Sequence, residues 1–451
     1  MSELDQKSSK TKRRSFELID EEIKNDPVGS EPKIRLLYNK IVKTENDTGK
    51  IFNLKYRVYV CALASSEILE KKNIGQNEFV FHGNMYSAEL EPKNDDLDDF
   101  DPAEFSSFQE YFLTEANKSP EFMSNDFWKN KERDTSVFFE KENFKSFKRH
   151  YGHVLSNFIG GRFPEDFQEL FKFIMKMGDN RILADVHEDF DARHIELIFS
   201  ATPTNKPQDA YATFKQYVLY TSAMWRMAVY LDEAKNLTRV SESLIGNPYR
   251  IRFNGRLISQ DLARSVTEYN LLSKYINSTS KSRVLEIGAG YGRLGEVFHQ
   301  LSDVQYIIVD IMPSIFVSRF YLERRHPKSK ILDFRDIAKI DRLPDNFEEY
   351  DFIFLTPNQL KYLPDESVDM VININSFMEM SRTAVDSYFS EIDRLSNGFL
   401  YTKQWFRNLS KKGVELFNKN NYPVKGHWKL VREQYDQLHI KFFEQIWKLG
   451  G

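Results

Sequence analysis

One short stretch, Val284–Gly295, has the residue types of a cofactor-binding loop, with the sequence VLEIGAGYGRLG. From Gly290 onward it matches G-x-G-x-x-G, the loop that holds the pyrophosphate of a dinucleotide. From Glu286 onward it is an acid followed by alternating glycines, which suits a positively charged sulfonium cofactor. The position of the glycines relative to the preceding strand, and the charge of Glu286, must decide between these two chemistries.

The position of the glycines argues against a dinucleotide. In a nicotinamide-binding fold the first glycine ends the first strand, and the third glycine, five residues later, lets a helix pack closely. The predicted strand RVLEI ends at Ile287, so the first glycine is Gly288 and the third would stand at position 293, which is Arg293. The literal match from Gly290 therefore begins too late. Gly295 is predicted to be a packing residue in the first helix.

The charge of the loop points the same way. Ligands of open α/β sheets bind at the carboxyl ends of the strands, where Glu286 is predicted to lie. A carboxylate there repels a pyrophosphate but suits the ammonium group of S-adenosylmethionine (AdoMet), and the sulfonium accepts aromatic neighbours such as Tyr291. Gly288, Gly290 and Gly292 would let the backbone approach the cofactor closely.

Polar residues at the ends of the next two predicted strands fit an adenosine. The second strand, YIIVD, ends in Asp310, 20 residues after Gly290. A carboxylate there can accept both ribose hydroxyls, which supports an adenosine without choosing between AdoMet and NAD. Asn358 and Gln359 follow the third strand and could bond the adenine edge. A turn after the strand explains these two amides equally well.

The elements that must position these residues begin near residue 280, where short β-rich runs alternate with helical segments, as in a parallel sheet with crossover helices. The predicted strands are Arg283–Ile287, Gln305–Asp310, Phe352–Thr356, Val368–Asn373, Gly398–Thr402, Trp428–Glu433 and Ile440–Lys448. They predict a seven-stranded doubly wound sheet that ends in a hairpin. A helix is predicted to begin near Ser259, with Ser259 and Asp261 in its N-terminal cap.

Taken together, these motifs resemble the class I AdoMet-dependent methyltransferases over about residues 275–451, and more narrowly the sugar O-methyltransferases of bacterial glycan and antibiotic clusters. The narrower resemblance is carried by GNPYRI, ISQDLARSVTEYNLL, VLEIGAGYGRLGEVF, YIIVDIMPSIFVSRFYL and INSFMEM. It implies an α/β fold class, in which a C-terminal seven-stranded Rossmann-like methyltransferase sheet follows a largely helical α+β region. It also implies AdoMet as cofactor and a hydroxyl of a sugar or glycan precursor as methyl acceptor.

The chain is long enough for two or three domains. The predicted organisation is a disordered tail over residues 1–30, a mostly helical domain over 31–240, a connecting segment over 241–274 that caps the substrate, and the methyltransferase domain over 275–451. Residues 105–180 are rich in Phe and Lys at mixed helical spacing, which indicates amphipathic helices.

A sugar hydroxyl is a poor nucleophile while it keeps its proton, so a general base is expected. Glu379, shortly after the fourth strand, is the favoured base or acceptor-positioning group, although an acid at a helix start would also explain it. His427, just before the sixth strand, is the rival, since the usual pKa of imidazole suits base chemistry. A structural or exposed histidine is the alternative interpretation.

Further polar residues are assigned to binding. Asn375 is predicted to contact the cofactor, and the residues predicted to bind the acceptor are Arg250, Arg252, Asp261 and Ser376. Each of them could instead form a surface pair. No acid cluster has the spacing of an octahedral metal site, so no metal is predicted.

Composition excludes other classes of function. The chain has 63 Lys and Arg against 67 Asp and Glu, so no basic field favours nucleic acid or an anionic membrane. The single cysteine, Cys61, fits a reducing compartment, and cytoplasm is expected. Methyl transfer to another small molecule or a protein, and an inactive methyltransferase-like scaffold, stay open as alternatives. Monomer and homo-oligomer also stay open.

Overall fold

The computed structural model describes residues 78–81, 84–89, 101–122, 143–148 and 221–450, with gaps at 222–223, 226–227, 230, 277–280, 406–416, 418, 437 and 439–441. The predicted tail over 1–30 lies outside the described residues. The chain divides into two compact units, Met1–Ser87 with Gly161–Tyr220, and Ala88–Gly160 with Thr221–Gly451. The predicted domain 31–240 is thus divided between the two units, and the cofactor-loop region belongs to the second.

Two short antiparallel hairpins precede the main sheet in the chain. One pairs β1 (Glu78–Phe81) with β2 (Asn84–Glu89), and the other pairs β3 (Arg250–Phe253) with β4 (Arg256–Ile258). The strands of the main sheet are β5 (Ser282–Ile287), β6 (Val304–Val309), β7 (Ile331–Leu332), β8 (Phe352–Leu355), β9 (Met370–Ile374), β10 (Phe399–Trp405), β11 (Lys429–Tyr435) and β12 (Phe442–Lys448). The described helices are α1 (Pro102–Ala116), α2 (Gln260–Leu272), α3 (Arg293–Leu301), α4 (Ser314–Arg325), α5 (Phe334–Ile340) and α6 (Arg382–Leu395).

The strand order of the main sheet is β11-β12-β10-β9-β5-β6-β8-β7. β12 is antiparallel to both of its neighbours, and the other pairs are parallel. From β5 the chain first adds strands on one side, through β6 and β8, and then returns to the other side, through β9 and β10. This is a Rossmann-like doubly wound sheet, and the reversal makes the crevice between β5 and β9 the place where such folds bind ligands.

All seven strands predicted for this sheet are confirmed, with shifts of two residues or fewer at most ends. The sheet has one further strand, β7, which was not predicted. It is only two residues long, too short for a period-two pattern to show in the sequence. It lies at the edge of the sheet beside β8.

An apolar core of the described residues lies on one face of this sheet. Alternate residues of β5, Leu285 and Ile287, pack in one cluster with Val371 of β9 and with Phe389 and Ile392 of α6. Because side chains alternate between the two faces of a strand, Glu286 points to the other face. On that face α3 packs directly on β6, since a Cβ added at Gly295 would lie 2.9 Å from the Tyr306 ring. The prediction that Gly295 is a packing residue of the first helix is confirmed.

Helix α2 begins as predicted. Ser259 is its N-cap and accepts a hydrogen bond from the Leu262 amide at 2.9 Å. Such caps satisfy one of the amide groups that the first turn of a helix leaves unpaired. The helix is positioned by this cap at its start and by a buried ion pair near its end.

The buried ion pair joins three elements through Glu268 of α2. Its carboxylate accepts hydrogen bonds from both terminal nitrogens of Arg293 at the start of α3, at 2.6 and 3.1 Å. Lys403 of β10 donates to the same carboxylate at 2.9 Å. Together these two cations hold the pKa of Glu268 at about 2, against the opposing effect of burial. The carboxylate is therefore charged throughout the neutral range.

None of the described helices is long and apolar enough to cross a membrane. Among the described residues, no group of three or more His, Cys, Asp or Glu side chains is placed as a metal site would need.

Glu268→Ala is expected to lower the free energy of unfolding by about 3–5 kcal/mol, because it leaves Arg293 and Lys403 buried without their shared partner. Urea unfolding at pH 7 measures this loss. Glu348→Ala is the matched control, since Glu348 forms its ion pair with Arg283 while its side chain is 72% exposed, and it should cost less than about 1 kcal/mol. Equal effects of the two substitutions would contradict a structural role for Glu268.

Candidate cofactor site

The glycine loop connects β5 to α3 at the carboxyl edge of the sheet. The Gly288 amide donates to the Val309 carbonyl at 2.8 Å, which ties the start of the loop to the end of β6. Gly292 is the N-cap of α3, and Arg293 is the first residue of that helix. The helix thus begins where a dinucleotide fold would need its third glycine. The residue at that position, Arg293, donates hydrogen bonds to Glu268.

Gly288 is required by both its backbone and its surroundings. Its φ of +77° lies in the left-handed region, and an added Cβ would overlap the Oγ of Ser376 after β9. A side chain at 288 would therefore be strained and would collide with the neighbouring strand end. This close approach places Ser376 directly beside the loop, in the crevice between β5 and β9.

Asp310 follows β6 and holds the loop from the other side. One carboxylate oxygen accepts from the Gly290 amide at 2.9 Å, and the other accepts from the Ile311 amide at 2.8 Å. Burial raises the pKa of Asp310 to about 7, although the backbone amides act in the opposite direction. Each carboxylate oxygen can accept more than one hydrogen bond, so Asp310 can hold the loop and still receive ribose hydroxyls.

Glu286 lies beneath the loop, on the face covered by α3. Its carboxylate accepts from the Tyr306 hydroxyl at 2.8 Å and is 2% exposed. Burial raises the pKa of Glu286 to about 7, with Tyr306 and Arg293 acting against that rise. The structure therefore uses this carboxylate inside the fold, between the sheet and the first helix. Its predicted contact with the cofactor ammonium stays a prediction.

The end of β9 is fastened to both neighbouring strands by Asn373. Its amide nitrogen donates to the Ile287 carbonyl at 2.8 Å, and its side-chain oxygen accepts from Gln404 of β10 at 2.6 Å. Asn375 then adopts a positive φ of 59°, and its buried side-chain oxygen has no hydrogen-bond partner. An acceptor group is thus available at the crevice, beside Ser376.

The two amides predicted at the adenine edge are already engaged. Asn358 donates to Glu115 of α1 at 3.2 Å and accepts from the Thr356 hydroxyl at 2.6 Å. Gln359 donates to the Phe334 carbonyl at 2.9 Å and accepts from the Thr356 amide at 3.3 Å. They fasten the turn after β8, which was the alternative interpretation of both residues.

The two candidate bases lie at opposite ends of the sheet. Glu379 is partly buried in the turn after β9, and its amide donates to the Ser376 carbonyl at 3.0 Å. His427 precedes β11. The first residues of β11 and β10, Lys429 and Phe399, both pair with Lys448 of β12, so β11 begins at the amino end of β10. His427 is exposed and contacts Asp393 of α6 at 2.8 Å. The glycine loop lies at the carboxyl ends of the parallel strands, so His427 is distant from it.

The residues predicted to bind the acceptor from the preceding segment lie in two places. Arg250 is buried on β3, and Arg252 of the same strand donates to the Gly255 carbonyl at 3.2 Å, at the turn of the hairpin. Asp261, in the first turn of α2, accepts from the Tyr291 hydroxyl at 3.2 Å. Tyr291 belongs to the glycine loop and packs edge-on against Tyr321 of α4. Asp261 is therefore brought to the loop by contact.

Sequence reasoning missed Gln260. This side chain is fully buried, and both its amide nitrogen and its amide oxygen lack hydrogen-bond partners. The available signal was the run of three polar residues, Ser259, Gln260 and Asp261, between two apolar ones. A polar run at a helix start is ordinarily explained by capping, so it did not point to burial.

No protein-family model matches the sequence, and no curated protein matches it. Several solved structures are similar to part of this chain at low sequence identity. A protein from Pyrococcus horikoshii is 15% identical, with a TM-score of 0.32 over 42% of this chain and 91% of its own. An S-adenosylmethionine-dependent methyltransferase from Aquifex aeolicus is 16% identical, with a TM-score of 0.25 over 40% of this chain and 88% of its own.

A third similar structure is an S-adenosylmethionine-dependent methyltransferase from Leishmania major, 12% identical, with a TM-score of 0.29 over 40% of this chain and 70% of its own. All three TM-scores lie below 0.5. The fold assignment therefore rests on the strand order and the loop geometry of this chain.

Glu286→Gln tests the buried carboxylate through its pH dependence. The folded pKa of about 7 exceeds the usual value of 4.5, so the wild-type protein loses stability as pH rises from about 4.5 to 7. Glutamine does not titrate and can still accept from Tyr306. Its free energy of unfolding should match wild type near pH 4.5 and exceed it by about 2–3 kcal/mol at pH 8.

Urea unfolding at the two pH values, without added cofactor, measures this difference. Glu348→Gln, at an exposed position, is the control and should show the same small offset at both. A constant offset for Glu286→Gln would show that Glu286 does not titrate in this range.

Proposed function

We propose that this protein is an AdoMet-dependent methyltransferase that methylates a hydroxyl of a sugar or glycan precursor. The observation that carries the proposal is the loop Gly288–Gly292 at the reversal point of the sheet, tied to the Asp310 carboxylate by the Gly290 amide at 2.9 Å. This arrangement combines close backbone approach with an acid at the end of the second strand, as an adenosine cofactor requires.

The residues present fit AdoMet better than a dinucleotide. A Cβ at Gly288 would overlap Ser376, so the glycine loop and the end of β9 lie directly against each other at the crevice. The buried carboxylates that contact the loop, Asp310 and Asp261, disfavour a pyrophosphate and favour a cation there. Asn375 adds an unpaired acceptor atom at the same edge. Asp310 would hold the ribose and Asn375 would face the reacting end.

When bound, AdoMet supplies an electrophilic methyl group: the acceptor oxygen bonds to the methyl carbon as the carbon–sulfur bond breaks, and the electron pair stays on the sulfur of S-adenosylhomocysteine. The chain must hold the acceptor oxygen in line and remove its proton. Glu379, three residues after Ser376, is proposed to accept that proton. A positioned base of this kind contributes about 10²- to 10⁴-fold to the rate.

A sugar hydroxyl is proposed as acceptor from the resemblance of GNPYRI, ISQDLARSVTEYNLL and INSFMEM to the sugar O-methyltransferases. Arg250, Arg252 and Ser376 are proposed to bind the acceptor. The alternatives are methyl transfer to another small molecule or a protein, and an inactive scaffold, because a fold of this kind sets the cofactor more closely than the acceptor. A mass increase of one methyl group in a panel of nucleotide sugars and lysate glycans, incubated with AdoMet, would identify the acceptor.

Calorimetric titration tests the cofactor. The wild-type protein should bind AdoMet and S-adenosylhomocysteine but not NADH. Asp310→Ala should weaken AdoMet binding about tenfold or more, because it removes the ribose acceptor and releases the Gly290 amide. Asp393→Asn, at the opposite end of the strands beside His427, should bind AdoMet as wild type does. Binding of NADH without AdoMet would overturn the proposed function.

The two candidate bases are tested by turnover with the acceptor found in that panel. Glu379→Gln should slow methyl transfer at least about 100-fold while AdoMet affinity is kept, since it removes the proton acceptor but keeps the side-chain shape. His427→Ala should leave both turnover and affinity near wild type, because it lies at the amino ends of the strands. The reverse pattern would move the base to His427.

A further inference from the structure

The first turn of α2 contains an unusual concentration of unpaired buried polar atoms. Gln260 is 0% exposed and Asp261 is 1% exposed. The amide nitrogen and oxygen of Gln260 and the Oδ1 atom of Asp261 have no hydrogen-bond partners. Each such atom costs about 1–3 kcal/mol when water is excluded and nothing replaces it. Three such atoms in two adjacent residues indicate that this turn binds a ligand.

The turn adjoins the glycine loop. The other oxygen of Asp261, Oδ2, accepts from the Tyr291 hydroxyl at 3.2 Å, and Tyr291 stands between Gly290 and Gly292. α2 is a helix of 13 residues, and the first amides of a helix have no acceptor within it. One turn therefore presents a carboxylate oxygen, an amide donor and acceptor, and a helix N-terminus beside the loop.

We propose that this turn binds the amino-acid end of AdoMet, with Asp261 Oδ1 accepting from the ammonium group and Gln260 with the α2 N-terminus donating to the carboxylate. This assignment rests on the proposed function and places Asp261 at the cofactor, whereas the sequence placed it at the acceptor. An α-amino acid carries one cation and one anion on the same carbon. The turn offers one anionic acceptor and a set of donors within two residues.

The charges around Asp261 support a cationic partner. Burial raises the pKa of Asp261, with Glu242 adding to the rise and Arg293 and Arg264 acting against it. A buried carboxylate under these conditions gains from an additional cation close to it. Glu286, the carboxylate that sequence analysis assigned to this role, is instead bonded to Tyr306 beneath α3.

A ligand pair that differs only in the amino acid tests the assignment. S-adenosylhomocysteine carries the amino-acid end, whereas 5′-methylthioadenosine has the adenosine and sulfur without it. Both are titrated calorimetrically into wild type, Asp261→Asn and Gln260→Met, substitutions that keep the size of the side chain. Asp261→Asn also keeps an oxygen to accept from Tyr291.

Each variant should bind S-adenosylhomocysteine about 10- to 100-fold more weakly than wild type, the range expected for losing a hydrogen bond to a charged group. Each should bind 5′-methylthioadenosine within about twofold of wild type, because that ligand does not reach the turn. The control Thr267→Val removes a hydroxyl that donates to the Ala263 carbonyl at 2.9 Å in the same helix, and it should bind both ligands as wild type does.

If the two variants bind both ligands as strongly as wild type, this assignment is overturned while the proposed function stands. An equal loss of affinity for both ligands would indicate a distorted site and would also overturn the assignment. If the variants bind the cofactor normally but no longer transfer methyl, the turn binds the methyl acceptor instead, and this assignment is likewise overturned. If the wild-type protein binds neither these ligands nor AdoMet, the proposed function fails and this inference fails with it.

Discussion

The site depends on one buried carboxylate that serves two cations. Glu268 accepts from Arg293 and from Lys403, and Arg293 directly follows Gly292 at the end of the glycine loop. Asp261 precedes Glu268 by seven residues, or about two helical turns, so both lie on one face of α2. The ion pair therefore sets the end of the loop and the direction of α2 together. The first turn of α2 reaches Tyr291 because the other end of the helix is held against α3 and β10.

Features determined by spacing were accessible from the sequence. Seven of the eight strands of the main sheet, the start of α2 at Ser259 and the packing role of Gly295 follow from period, capping and glycine position, and the structure has them. The hydrogen-bond partner of Glu286 could not be predicted from spacing. Alternation along β5 predicts that Glu286 faces away from Leu285 and Ile287, but only the packing of α3 on Tyr306 shows that this face is closed. Burial of Gln260 likewise depends on elements distant in the chain.

The placement of His427 could have been inferred from the sequence. The residue before a strand that runs parallel to β10 lies at the amino edge of the sheet, whereas ligands of such folds bind at the carboxyl edge. The usual pKa of imidazole suits a base, but a position at the amino edge does not. For Asn358 and Gln359 the sequence could not decide the role, because an amide after a strand fits both adenine binding and a turn. Asn358 bonds both Thr356, two residues away, and Glu115 of α1, which is far away in the sequence; the second contact could not be predicted from the local residues.

The same unpaired atoms bear on whether the chain is an enzyme or a scaffold. A fold that bound nothing would retain at Gln260, Asp261 and Asn375 a desolvation cost that apolar residues of similar size would avoid. Those atoms are therefore an argument for ligand binding; two of the three residues begin α2, where Asp261 contacts Tyr291 of the glycine loop, and the third follows β9. Binding alone does not require Glu379, which stands after β9 and beside Ser376. The case for chemistry thus rests on that one carboxylate, and the case for a cofactor on the groups around the loop.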